Sequence, residues 1–467
     1  MSARRLLFCL ALAVLMMAAP IASPPASTDL EQDNATEDDQ PGEGPPEVGT
    51  VPAPTATPAP TATAQESETA PPPRTIGAIV AAIQPVVEEL RGLRFDHAVS
   101  VEKADDAVAR GHFEDRMRTY WPEPQMRVEQ DAYIDLGLMP QRTDLKGSVL
   151  EALKEQAAGY YDPERNAFVV LDDMPGSMAS IIVAHELTHA LDDQHFGIDR
   201  LIDAAGSDSE KSGGVAAVVE GSGTLVMTMF TVREMTAGRL TAEGTREIQE
   251  SEAGQAKVLK TTPQVVQRIL VGPYMLGMRF LLRGDIAAIP KDVAPKADLD
   301  RAFHDPPVSW EQVLHPEKYW DPAKRDLPRP VALPDLSSLL GEGWALEGQG
   351  KLGELLLAIL TGPDIDVLDP MALKDARGWT NEAVTGWGGD LWQHYRRGDD
   401  SVTVLATVWD TRKDAREFEA ALPASPGQAV FAKREAVVVV AGAAGDRVSK
   451  VGREALRAAR SSSGAPH

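Results

Sequence analysis

Two histidines and a glutamate occupy positions that could hold a metal ion and use it. His185 and His189 stand four residues apart, and Glu186 directly follows the first histidine. In a helix, residues four apart lie on one face with their Cβ atoms about 5–6 Å apart. Both imidazoles can then bind one zinc ion, and Glu186 can take a proton from a metal-activated water. The spacing therefore predicts a catalytic zinc centre with Glu186 as general base.

The residues before the pair predict that this helix is buried. Positions 181–184 read Ile-Ile-Val-Ala, which is typical of a helix beneath a cleft and not of a chance pair of histidines on a solvated helix. We expect the helix to run from Ser177 to Phe196, where Gly197 ends it.

The third protein ligand of a catalytic zinc must come from elsewhere in the chain. Glu220 is a lone carboxylate in an apolar segment from Gly214 to Arg233 that also predicts a helix. A charge there is costly unless it is paired or bound to a metal. His195 is the alternative ligand, although Asp192 stands where the longer HExxHxxGxxH pattern has glycine. In a continuous helix His195 would point roughly 80–120° away from the other two histidines, so Glu220 is favoured.

Asp192 and Asp193 follow the histidines on the same helix and could lie around the metal ligands. Either could orient an imidazole through its second ring nitrogen. The alternative is that both only occupy the solvated end of the helix.

The wider pattern predicts a mainly helical α+β chain of several domains. Residues 147–158 predict an amphipathic helix, and 160–171 predict a hairpin around an Asp-Pro-Glu-Arg-Asn turn. After Leu391 strands and helices alternate, which indicates a small α+β lobe with an antiparallel sheet, and 429–442 is predicted as one strand. The expected division is a signal peptide (1–23), an acidic, Pro- and Thr-rich disordered linker (24–75), a catalytic domain (76–330), a helical connector (331–390) and the lobe (391–460).

The N-terminus predicts export. Arg4 and Arg5 precede an apolar stretch from Leu6 to Ala19 that has the length of a secretory signal. Cys9, the single cysteine, lies within it, so the mature chain can have neither an internal disulfide nor a thiolate ligand. We expect no later membrane span and a periplasmic, cell-surface or extracellular location.

Several stretches resemble the gluzincin branch of zinc peptidases, the thermolysin-like group with two histidines and a downstream glutamate. The run Val183–Phe196 together with Val219-Glu220-Gly221 is similar to this group, and more closely to poorly characterised secreted bacterial and archaeal proteins with the motif HELTHALxDQHF. Residues 159–170, 306–319 and 386–390 resemble the same proteins.

The resemblance implies a zincin-like catalytic core with one zinc ion. It implies His185, His189 and Glu220 as ligands and Glu186 as general base. Gluzincins align an extended substrate on an edge strand before the active helix, and the end of the hairpin fits that place. The residues concerned are Ala167, Phe168 and Val169. Such sites often add a Tyr or His donor for the oxyanion, for which the candidates are Tyr274, His304 and His315.

The charge of the chain limits its partners. With 46 basic and 70 acidic residues the net charge is −24, which argues against binding to nucleic acid or anionic lipid. We expect a polypeptide substrate, and the sequence leaves the oligomeric state open. Two other functions also stay open: a zinc amidase acting on cell-envelope material, and a non-catalytic envelope scaffold with a structural zinc.

Overall fold

The computed structural model describes residues 75–462, apart from 157–158, 164, 172–175, 241 and 291. The predicted signal peptide, and the predicted linker except Thr75, lie outside the described residues.

The elements confirm a mainly helical α+β chain with two small sheets. The helices are α1 Ile76–Arg91, α2 Asp106–Tyr120, α3 Glu123–Leu136, α4 Leu145–Gln156, α5 Gly176–Phe196, α6 Ile198–Ala205, α7 Ser209–Thr236, α8 Ala242–Thr261, α9 Gln264–Leu281, α10 Lys296–His304, α11 Trp310–Leu314, α12 Glu317–Trp320, α13 Ser337–Leu340, α14 Gly353–Thr361, α15 Pro370–Lys374, α16 Arg412–Ala421 and α17 Val448–Ser462. The strands are β1 Ser100–Ala104, β2 Gly159–Asp162, β3 Ala167–Leu171, β4 Ala345–Gly350, β5 Trp387–Arg397, β6 Asp400–Trp409, β7 Gln428–Lys433 and β8 Ala436–Gly442. Short 3-10 helices form at Ile286–Ala288 and Gly445–Arg447.

Helix α7 lies at the centre of the helical core, between α5 and α9. It approaches α9 closely because Gly221 and Gly277 face each other; a Cβ on Gly221 would lie 2.4 Å from the carbonyl carbon of Gly277. This helix is long and apolar enough to cross a membrane, contrary to the expectation that no segment after the N-terminus is. However, 94% of its apolar window is buried inside the protein. Its position in the core therefore accounts for its composition.

Helix α1 brings a buried arginine to the core. Its N-cap is Thr75, whose hydroxyl accepts the Ala78 N–H, and it continues through Pro85. It ends where Gly92 adopts a left-handed conformation, with φ +73°. The last helical residue is Arg91, whose side chain is fully buried.

The first sheet corrects the prediction of an edge strand. The predicted hairpin is confirmed, with β2 and β3 antiparallel, but β1 pairs in parallel with the other side of β3. The strand order is β1-β3-β2. Ala167, Phe168 and Val169 therefore lie in the central strand, where both edges are already hydrogen-bonded, and the edge strands are β1 and β2.

The second sheet has five antiparallel strands in the order β4-β5-β6-β8-β7. Strand β4 lies within the segment 331–390 that was predicted to be a helical connector, so that prediction is wrong for this part. The stretch 429–442, predicted as one strand, is a hairpin of β7 and β8 that turns at Arg434 and Glu435. Arg434 has φ +58°, a conformation that lets the two strands reverse direction.

Candidate metal centre

Helices α5 and α7 bring three metal-binding side chains together in the core. The Nε2 atoms of His185 and His189 lie 2.9 Å apart, and Glu220 Oε2 lies 3.3 Å from each of them. Ligand atoms of a tetrahedral zinc site, at 2.0–2.2 Å from the metal, are separated by about 3.3 Å. The group could therefore bind one metal ion, as its residue types and convergence indicate.

The surroundings of this group fit a metal ion. Glu220 Oε1 is buried and has no hydrogen-bond partner among the described residues, so the carboxylate retains an unused acceptor. Gly223, one turn after Glu220, lies against both imidazoles; a Cβ there would come within 2.7 Å of His185 Cε1 and 3.0 Å of His189 Cε1. Glycine at this position gives the two rings room to approach the carboxylate.

The charge of Glu220 is maintained by the histidines. Burial by itself raises the pKa of a carboxyl group, and Glu220 is only 2% exposed. His189 and His185 act in the opposite direction through charge and hydrogen bonding, and the net pKa of Glu220 lies below its ordinary value. A carboxylate held in its ionised form is the form that binds a metal.

A buried polar network joins the two ligand-bearing helices. Asp192 Oδ1 accepts a hydrogen bond of 2.8 Å from Arg91 Nε, and its Oδ2 accepts one of 2.6 Å from Ser222 Oγ. Burial raises the pKa of Asp192, while Arg91, Ser222 and His189 counteract the shift. The network connects α1, α5 and α7 within one turn of His189 and Glu220, and so fixes their spacing.

The two aspartates after the histidines do not orient an imidazole by hydrogen bonding. Both Nδ1 atoms, of His185 and His189, lack a hydrogen-bond partner among the described residues. Asp193 instead accepts from the Tyr161 hydroxyl at 3.1 Å and from the Ile198 N–H at 2.8 Å. Asp192 is taken by the network described above. The predicted role of either residue as an imidazole partner is therefore wrong.

Glu186 lies next to the group and is held by the first sheet. Its side chain is fully buried, and its Oε2 accepts a 2.7 Å hydrogen bond from the Tyr161 N–H of β2. Tyr161 lies in β2, an edge strand of the first sheet, and its backbone N–H fixes the carboxylate beside the two histidines.

His195, the alternative third ligand, does not lie with the converging side chains. It is exposed at the end of α5, and its Nε2 lies 2.7 Å from the carbonyl oxygen of Arg94. The group that converges in the core contains Glu220. The helix continues straight to Phe196, and so His195 points away from the other histidines, as the helical repeat requires.

Of the three candidate oxyanion donors, Tyr274 is the one that lies at the site. It is buried on α9, and its ring stacks on the imidazole of His185 with centroids 5.8 Å apart. His304 instead contacts the carbonyl oxygen of Asp300. His315 contacts Glu354 Oε1 at 2.8 Å.

Four contributors to the site were missed by sequence reasoning: Arg91, Tyr161, Ser222 and Gly223. Arg91 contacts Asp192, and Tyr161 contacts Glu186, across long separations in sequence. A single sequence contains no pattern that predicts such contacts. Ser222 and Gly223 could have been suspected, since the Gly-Ser-Gly run after Glu220 is unusual within an apolar helix.

A second acidic group is already paired with a lysine of the chain itself. The carboxylates of Glu311, Asp326 and Asp410 lie close enough together to hold a cation. The ammonium of Lys318 donates to them at 2.6, 2.9 and 3.3 Å, and their charges raise its pKa against the effect of burial. Lys318 therefore takes the place of a metal ion there.

Comparison with known proteins finds one match, in the C-terminal part of the chain. A family model described as a domain of unknown function, DUF8575, matches residues 344–456. This range begins one residue before β4 and includes all five strands of the second sheet. No curated protein and no solved structure matches the chain. The match does not include the candidate metal centre.

Proposed function

We propose that this protein is an exported, zinc-dependent metallopeptidase that hydrolyses polypeptides. The observation that carries the proposal is the convergence of His185, His189 and Glu220 in the core, with Glu186 beside them. Two imidazoles, one carboxylate and an adjacent second carboxylate are the residue types of a catalytic zinc site that keeps one open position. Export is inferred from the apolar stretch after Arg4 and Arg5.

Each residue of the site has a separate role in the proposed reaction. Zinc held by the three ligands would polarise a peptide carbonyl and lower the pKa of a water molecule. Glu186 takes the proton of the attacking water and passes it to the leaving amine. The Tyr161 N–H keeps this carboxylate in place. Tyr274, stacked on His185, is the nearest candidate to donate a hydrogen bond to the developing oxyanion.

We assign the alignment of the substrate to β2 and not to β3. Strand β2 is an edge strand of the first sheet and contacts Glu186 through the backbone of Tyr161. An extended peptide can add to such an edge by main-chain hydrogen bonds. This assignment retains the edge strand implied by the gluzincin resemblance but moves it to the other strand of the hairpin.

Peptide-library cleavage by the purified mature protein tests the proposal. We expect the zinc-loaded wild type to cleave and the chelator-treated protein to be inactive. Glu186→Gln should bind zinc as the wild type does but lose cleavage, because the amide cannot accept the proton. Equal cleavage by wild type and variant would refute the role of Glu186. Adding cell-wall stem peptides to the library also tests the amidase alternative.

Burial of the site favours one alternative, a structural zinc in a non-catalytic scaffold. Both histidines are 1% exposed, and Glu186 is not exposed at all. A structural site, however, is closed by four protein ligands, and His195, the proposed fourth, lies elsewhere. Zinc binding without cleavage of any library member would favour the scaffold.

A further inference from the structure

A largely apolar cavity of about 120 Å³ extends from the candidate metal centre along α7. Glu220 and Tyr274 line it near the metal ligands, and Ser209 and Glu210 line it at the start of the helix. Ser209, Gly213, Ala216 and Glu220 recur at helical spacing and so share one face of α7. Glu210 and Glu220 are ten residues apart, which is about 15 Å along a helix. The cavity is therefore an elongated channel.

The walls of the channel are mainly apolar, and most of its ionisable lining residues are acidic. Helices α3, α4, α9 and α14 contribute apolar side chains, among them Tyr133, Val149, Leu270 and Leu355. Three carboxyl groups also line the channel: Glu129, Glu210 and Glu220. The basic residue among the described lining residues is Lys351. Its ammonium group already donates a hydrogen bond to Asp208 at 2.7 Å.

Glu210 is the carboxyl group at the end of the channel away from the metal ligands. It is 1% exposed, and its Oε2 accepts the Trp310 N–H at 2.9 Å. Burial raises its pKa to about 8, and Asp390 and Asp208 add to this shift. At neutral pH the empty channel therefore holds a neutral carboxylic acid, which a nearby cation would convert to a carboxylate.

A second observation indicates that the channel accepts a ligand. Trp121 lines it, is 9% exposed, and its indole N–H has no hydrogen-bond partner among the described residues. An amine alone cannot accept that hydrogen bond, whereas the carbonyl group of a peptide residue can.

We propose that the channel binds the side chain of a lysine or arginine residue of the substrate, with its aliphatic stem along the apolar walls and its cationic head at Glu210. The proposal rests on the proposed function, because the rest of the peptide must lie at the metal centre. A lysine side chain spans about 6 Å from Cα to Nζ. The bond from Cα to the scissile carbonyl and a hydrogen bond of about 3 Å to Glu210 add to this length. The total covers most of the roughly 15 Å between Glu220 and Glu210.

The carboxyl group of Glu210 decides between this ligand and a purely apolar one. A cavity of about 150 Å³ can hold a benzene molecule, so volume alone would also permit a leucine side chain. A leucine would place methyl groups against the buried carboxyl group of Glu210, whereas an ammonium or guanidinium group can donate hydrogen bonds to it. A cation pairs with Glu210 and so offsets the cost of burying both charges.

Binding to the chelator-treated, full-length protein tests the channel without any catalysis. The probes are n-butylammonium and n-butanol, which share the stem and differ in charge. Calorimetry at pH 7 in buffers of different ionisation enthalpy should show that butylammonium binds at least about 10-fold more tightly and releases a proton. In Glu210→Gln this preference should disappear, while Glu342→Gln, an exposed control, should behave as the wild type does. Equal affinity for the two probes, or no binding of either, would overturn the proposal.

A second variant keeps the test decisive if Glu210→Gln does not fold. Ala216→Leu fills the middle of the channel and should abolish binding of butylammonium. Unchanged binding in this variant would contradict the proposed location.

Cleavage of matched peptides tests the substrate class. The peptides differ only in lysine or norleucine beside the scissile bond, so they differ only in the ammonium group. We expect kcat/KM to favour lysine at least about 10-fold in the wild type, and this ratio to fall about 10- to 100-fold in Glu210→Gln. Cleavage without a lysine preference would refute the substrate class and leave the proposed function standing. If neither peptide nor any library member is cleaved, the proposed function fails, and butylammonium binding still decides whether the channel recognises cations.

Discussion

Glu220 is a buried carboxylate whose nearest polar neighbours are two imidazoles from a neighbouring helix. Its distance of 3.3 Å to each Nε2 is longer than a good charge-assisted hydrogen bond, which is about 2.7–2.9 Å. The arrangement is thus loose as a hydrogen-bonded cluster and well suited to a small cation placed between the three atoms. Metal binding by this group would require the side chain of Glu220 on α7 and those of His185 and His189 on α5.

Removing Glu220 should weaken zinc binding much more than removing His195. Glu220→Ala deletes a ligand, so the loss of affinity should exceed the 10- to 100-fold typical of residues that only support a ligand. His195→Ala is the matched control, because His195 is exposed and bonded to the Arg94 carbonyl. Competition with a chromophoric chelator measures both. A larger loss in His195→Ala would return the third ligand to His195.

Gly223→Ala should reduce zinc affinity without removing any ligand. The added methyl group would meet the rings of His185 and His189 at 2.7 and 3.0 Å, so one of the rings must move. Gly254→Ala on α8 is the control, since a Cβ there meets nothing within 4 Å. That variant should gain up to about 1 kcal/mol from helix propensity. Similar zinc affinity in both variants would show that the rings do not need the space.

At the scale of elements, local sequence patterns predicted single helices and a hairpin. They did not predict the pairing of strands that are distant in sequence. The hairpin β2–β3 and helices α5 and α7 follow from periodicity and turn residues near in sequence. The order of the first sheet does not, because β1 pairs with β3 from more than 60 residues upstream. Because of that pairing, Ala167, Phe168 and Val169 lie in the central strand and not at the expected edge of the sheet. The β7–β8 turn was missed because Arg434 and Glu435 replace the usual Asn-Gly signature.

The Arg91–Asp192 pair should be essential to the packing of α1 against α5 and α7. Both side chains are fully buried, so Arg91→Met leaves Asp192 without its counter-charge and should destabilise the fold by about 3–5 kcal/mol. Combining it with Asp192→Leu should recover part of the loss, because no unpaired charge remains. Denaturant unfolding measures the cycle.

The control for this cycle is Arg118→Met, which breaks an exposed pair with Asp115 and should shift the unfolding midpoint little. If Arg91→Met has as small an effect as this control, the buried pair does not hold the helices together.

At the scale of the whole molecule, α7 connects the candidate metal centre to the region matched by the family model. Its first turn supplies Glu210, which accepts the Trp310 N–H and lies against Gly353 at the start of α14. Asp390 of β5 accepts the N–H groups of Leu352 and Gly353 at 2.8 and 2.9 Å, and burial raises its pKa to about 6. Two buried acids therefore lie where the helical core meets the second sheet.

The stability of the whole fold should fall as pH rises through the range in which Glu210 titrates. In the folded protein burial raises the pKa of Glu210 from 4.5 to about 8, so folding favours the protonated form. The contribution of this group to stability is complete below about pH 4.5 and is lost as pH rises towards 8. The shift corresponds to at most about 5 kcal/mol.

Glu210→Gln removes this titration and isolates its effect. Its free energy of unfolding should be close to that of the wild type near pH 5 and should exceed it increasingly up to pH 9, because the wild type must then ionise a buried acid. Glu342→Gln, an exposed substitution with the same loss of one formal charge, controls for net charge. Urea unfolding of the three proteins from pH 5 to 9 gives the differences. A difference between Glu210→Gln and Glu342→Gln that stays constant with pH would mean that Glu210 is ionised in the folded protein at neutral pH, and the channel would then carry its negative charge even when empty.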